Sequence, residues 1–260
     1  MAGAGSPALR SLLEGPLATG TVVHAGAQAV YADISPGSPD SPDGAPSPRI
    51  VGVLARAAVH LPCGIATALA ALPDVPAGAP VRIGGGVLRV GPMRVGVDRL
   101  VSFAVPPVPA DLGRRLAAVP TDLTAATRQL PAAALELLAA GDAAAVPMLV
   151  GRGDGLTPVG DDVLCGWLVA ARAAGRDTAG VADAVRRDQH RTTLLSATLL
   201  RHAAAGEAIA PFRAVLAGRD PAAVTALQAV GHTSGTGMLL GAHLALCRTL
   251  THEALEGSTR

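Results

Sequence analysis

The sequence predicts an α+β protein: a small antiparallel β unit, a barrel or a sandwich, followed by an α-helical bundle. Three observations carry this. Up to residue 106, short runs rich in Val, Ile and Thr alternate with turn formers. Pro106, Pro107 and Pro109 then mark a break. Beyond them the apolar residues recur with helical spacing, in alanine- and leucine-rich runs cut by Gly and Pro. The expected division is therefore 1–106 and 107–260.

Residues 19–34 and 49–55 read as strands. The tract between them, 35–48, is SPGSPDSPDGAPSP; it offers too little apolar surface to order itself and reads as a mobile surface loop. Residues 81–105 resume the strand pattern, and Gly84-Gly85-Gly86 within them reads as a hairpin turn, because no helical period follows it. Helices are expected over 110–118, 121–140, 158–174, 178–205, 208–217, 221–230 and 234–255.

Composition excludes several function classes. Half the residues are apolar but only 2% are aromatic, so the interior is expected to pack small side chains closely. A net charge of +1 gives no electrostatic case for nucleic acid or an acidic membrane. Every basic residue is arginine; without lysine there is no Walker-type phosphate loop, Schiff-base lysine or lysine base. Cys63, Cys165 and Cys247 show no metal or redox spacing, and Cys165 and Cys247 read as buried, inert thiols of a cytoplasmic protein. No secretion signal, membrane span, metal or cofactor is implied.

The densest chemistry lies in GRGDGLTPVGDD, residues 151–162. Gly151, Gly153, Gly155 and Gly160 allow the backbone to approach a ligand closely. Thr157 and Pro158 read as an N-cap and the first helical residue, and the cap hydroxyl of Thr157 can also contact the ligand. A glycine loop feeding a helix start is a ready anion site, and Arg152 adds a cation suited to carboxylate or phosphate. Asp161 and Asp162 follow in the first turn; Asp162 is assigned toward the site, and Asp161 to a capping or supporting role. A second segment repeats the spacing: in 157–171 and 232–246, Gly160 matches Gly235, Leu164 matches Leu239 and Gly166 matches Gly241. This predicts two closely packed helices whose starts share one site, with His232 as acid or base and Thr233 and Ser234 as ligand contacts. Thr192, Thr193 and Ser196 are expected to bond back to their own helix.

With GRGDGLTPVGDDVLCG, TTLLSATLLRHAAAGE (192–207) and GHTSGTGMLLG (231–241), the chain resembles the family of the AllH subunit of oxamate carbamoyltransferase. The resemblance implies a subunit of an enzyme that converts oxalurate and phosphate to oxamate and carbamoyl phosphate in allantoin and purine-nitrogen breakdown. It implies FdrA-like and AllG-like partner chains and a small carboxylate, phosphate or carbamoyl ligand. A non-catalytic assembly or ligand-sensing subunit is the alternative. Family members often carry an acid where this chain has Gly237, a departure that points to an altered substrate or weakened activity.

Overall fold

The computed structural model describes residues 1–34 and 49–247; the expected mobile tract 35–48 and residues 248–255 of the expected 234–255 helix lie outside them, and that helix ends at Leu246, where Cys247 turns to extended backbone. The chain divides into two compact units, Met1–Phe103 and Ala104–Arg260.

The first unit is a closed barrel, not a sandwich. Its strands are β1 (Ala2–Gly5), β2 (Ala18–Ala25), β3 (Ala29–Asp33), β4 (Ile50–Leu54), β5 (Gly64–Ala66), β6 (Pro80–Gly84), β7 (Val87–Val90) and β8 (Met93–Leu100), in the order β1-β5-β4-β3-β2-β6-β7-β8. Six pairings are antiparallel, while β1·β8 and β4·β5 are parallel, so the antiparallel expectation holds for most of the ladder but not all. Alternation sends Val81, Ile83, Val95 and Val97 inward, where side chains fill the barrel. Helix α1 (Pro7–Glu14), capped by the Ser6 hydroxyl on Leu9 N–H at 3.1 Å, adds Leu9 and Leu13 to that core. Gly85 and Gly86 take φ of +61° and +77° between β6 and β7, the hairpin turn read from the sequence.

The second unit is helical: α2 (Leu112–Ala117), α3 (Thr124–Thr127), α4 (Ala132–Ala140), α5 (Val146–Leu149), α6 (Val159–Ala173), α7 (Ala179–Asp188), α8 (Leu194–Ala204), α9 (Ala210–Ala217), α10 (Ala222–Gln228) and α11 (Ser234–Leu246). Two expected long helices are each broken. Pro131 stands at the start of α4 and ends the 121–140 run, since its ring cannot sit inside a helix. The 178–205 run breaks at Thr193, whose hydroxyl accepts from Ser196 N–H at 3.0 Å and starts α8.

Helices α6 and α11 are the centre of this unit. Gly237 lies against Val159 and Asp162, and Gly241 against Val163, Gly166 and Trp167, so the two run side by side in the same direction. A Cβ on Gly166 would overlap the Met238 carbonyl, and one on Gly241 would overlap the Val163 carbonyl. The matched glycines thus let two backbones touch, which accounts for residues that otherwise cost a helix about 1 kcal/mol each relative to alanine. Trp167, Leu164 and Leu168 are fully buried around the seam.

Candidate functional site

Parallel packing brings the starts of α6 and α11 together, and with them their positive dipole ends. Helix α8 brings a third start to the same place. The Thr193 hydroxyl, besides capping α8, donates to the Leu156 carbonyl at 2.6 Å, and the Thr192 hydroxyl donates to Asp161. The Thr157 and Ser234 hydroxyls are bonded at 2.9 Å, tying the loop before α6 to the first turn of α11.

The two acids have different surroundings. Asp161 accepts from Gly151 N–H at 2.9 Å and from the hydroxyls of Thr192 and Ser196. Burial still raises its carboxyl above the usual range, against the pull of those donors. Asp162 is 5% exposed. Burial raises it well above the ordinary carboxylate range, and the neighbouring Asp161 adds to this, against the Ser234 and Thr157 hydroxyls. Its Oδ2 is buried with no hydrogen-bond partner among the described residues. A buried carboxyl so placed favours its protonated form, able both to donate and to accept.

Several sequence assignments are corrected here. Thr157 is not the N-cap of α6: Pro158 holds that position in extended backbone, and the Thr157 hydroxyl is engaged with Ser234 instead. Thr192 and Ser196 do not bond back to their own helix but hold Asp161 across the gap. The helix start is a poorer anion site than expected, because Gly160 N–H donates to Arg152 O at 2.9 Å, and Asp161 and Asp162 N–H donate to Pro158 O at 2.9 and 3.1 Å. Gly160 is buried, and a Cβ there would overlap the Leu149 carbonyl; its task is close packing.

The remaining expected residues lie at the rim. Arg152 is exposed, with Nε donating to the Gln129 carbonyl at 3.2 Å, and it does not figure among the charges acting on either acid. Gly153 and Gly155 are exposed in the loop with φ of +108° and +90°. Thr233 is half-buried at the N-cap position of α11, without a side-chain cap bond, and His232 is exposed just before it.

Gly237 is explained by its neighbour: a Cβ at this position would stand 2.8 Å from Asp162 Cβ. The space that an acid on α11 would need is filled by the acid on α6. Among the described residues, no three His, Cys, Asp or Glu side chains come together as a metal site.

Residues 149–246 match the family model described as oxamate carbamoyltransferase subunit AllH. This region is AllH-like. All three blocks that carry the resemblance fall inside the match, so the recognition made from the sequence is borne out there, while the barrel lies outside it. No curated protein and no solved structure matches the chain. No helix among the described residues is long and apolar enough to cross a membrane.

Proposed function

We propose that this chain is a subunit of a carbamoyl-transferring enzyme of the oxamate carbamoyltransferase type, acting with FdrA-like and AllG-like chains on oxalurate and phosphate. The observation that carries the proposal is Asp162: an acid buried at two converging helix starts, inside an AllH-like region, with one carboxyl oxygen left without a partner. Such a group is suited to the nitrogen between the two carbonyls of oxalurate. A phosphate oxygen attacks the terminal carbamoyl carbon and forms the new C–O bond. The C–N bond breaks, and its electron pair goes to the nitrogen that becomes the oxamate amide. Asp162 gives that nitrogen a proton and recovers one from the attacking hydrogen phosphate, so protons balance. Asp161, fixed by three donors, positions the start of α6 and keeps its neighbour's proton in place by like charge. Ser234 orients the acid, and the exposed loop 153–156 receives the anionic end of the substrate.

A non-catalytic assembly role is favoured by one observation, the sealing of Asp162 from solvent. The deciding experiment is reconstitution with the two partner chains and an assay of carbamoyl phosphate formed from oxalurate and phosphate. Turnover that survives Asp162→Ala assigns the chemistry to a partner and the acid to a structural role.

A further inference from the structure

Asp162 is sealed, and the residue that helps to seal it is Thr157. Its hydroxyl is bonded to Ser234 Oγ at 2.9 Å and interacts with the Asp162 carboxyl, so it uses hydrogen bonds that a ligand on this acid would need. The segment carrying it is built as a strap. Arg152–Leu156 are exposed, and Gly151, Gly153 and Gly155 hold backbone with φ between +71° and +108°. A Cβ on Gly155 would meet nothing within 4 Å. The far end is latched by the Thr193 hydroxyl on the Leu156 carbonyl and by the Thr157–Ser234 pair. Leu156 and Leu194, both exposed large apolar residues, flank that latch and give it an apolar rim.

We infer that Thr157 is a built-in stand-in for the ligand: its hydroxyl occupies the Ser234–Asp162 subsite, and a ligand enters by displacing it as the strap lifts. The subsite takes an uncharged group that both donates and accepts, as a hydroxyl does; a primary amide or ureido group has that chemistry and an oxyanion does not. The identity of the displacing ligand rests on the carbamoyl-transfer reading, whereas the strap itself does not. Displacement exchanges one set of hydrogen bonds for another, so entry is less costly than opening a bare buried carboxyl.

The test is carboxyl footprinting of the full chain, with carbodiimide and glycine ethyl ester read by mass spectrometry. A lysine-free chain suits it, because no lysine amine competes for the activated acid. Thr157→Val should raise Asp162 labelling about three- to tenfold, the effect of losing one hydrogen bond of ordinary net strength. Thr157→Ser should restore the wild-type rate, and Asp161, held by its own donors, should not change. Trypsin cleavage after Arg152 should accelerate in the valine variant alone. Unchanged Asp162 labelling in Thr157→Val overturns the inference, as does a joint rise at Asp161 and Asp162, which would mean that the helix start unravels. Oxamate at saturating concentration should protect Asp162 while amide exchange across Gly153–Leu156 speeds up. If Thr157→Val frees Asp162 but oxamate alters neither signal, the strap stands and the oxamate assignment falls.

Discussion

Helices α6 and α11 begin alike and do different work. Both place a glycine in the first turn, Gly160 against the Leu149 carbonyl and Gly235 against the Leu227 carbonyl, and another six residues on, Gly166 and Gly241, where the two helices touch. At the equivalent positions between them, α6 carries Asp161 and Asp162 whereas α11 carries Thr236 and Gly237. One helix start supplies the acids and the other supplies room for one of them. A symmetrical pair, with acids on both sides of a seam this tight, would set like charges in a site with little solvent. The asymmetry lets one acid lie in the notch left by the missing side chain of Gly237.

Closing the seam should have the largest effect. Gly241→Val would drive a branched side chain into the Val163 carbonyl and Trp167 N–H. We expect a loss of about 3 kcal/mol or more, the high end for overpacking, because the obstacle is backbone rather than a movable side chain. Gly180→Ala provides the contrast. It lies in α7 with nothing within 4 Å of a new Cβ, and should gain up to about 1 kcal/mol. Urea unfolding followed by circular dichroism separates the two; equal behaviour would refute the backbone-contact account of the seam.

Removing the acids tests the other half of the comparison. Asp162→Ala should reduce carbamoyl transfer in the reconstituted complex by about two orders of magnitude or more, near 2.7 kcal/mol of lost transition-state stabilisation. Asp161→Ala should do the reverse. It leaves Gly151 N–H and the Thr192 and Ser196 hydroxyls without their acceptor, and we expect about 1–3 kcal/mol of stability lost with turnover reduced less than by Asp162→Ala. Melting temperature and rate, measured on both variants, would break the division of labour if the two losses were interchanged.

How much of this was legible in the sequence depends on which groups carry the signal. The paired helix starts were readable because glycine has no other good reason to recur inside a helix. Strands β2, β3 and β4 and the glycine hairpin were readable from β-branched runs and turn chemistry. Strand β1 was not: Ala2–Gly5 has no strand-forming side chain, and it pairs because Gly3 lets Ile65 and the neighbouring backbone close in. The break before α8 was present as Thr192-Thr193 ahead of an apolar run, an N-cap signature outweighed by the long alanine-rich period around it. What no local pattern contained was the partner of each hydroxyl. Thr157 with Ser234, and Thr192 with Asp161, are separated by 77 and 31 residues, and only the tertiary fold chooses between such contacts and a bond to the same helix.

The smallest effect concerns the proton on Asp162. In the unfolded chain this acid titrates near 3.9, and in the folded protein burial raises it well above that. The folded state therefore holds the proton more tightly than the unfolded state does. This contribution to stability is fully present at pH values below the unfolded value and is lost as pH rises through the folded one. Asp162→Asn keeps the shape but cannot ionise, so it should melt higher than the wild type at alkaline pH, with a gain smaller than the loss in Asp161→Ala. The gain should shrink as the pH is lowered and vanish once both proteins hold a neutral group. Differential scanning calorimetry from pH 4 to pH 9 gives the comparison directly. A difference in melting temperature that does not vary with pH would mean that Asp162 titrates alike in both states, and that the helix starts, not burial, set its charge.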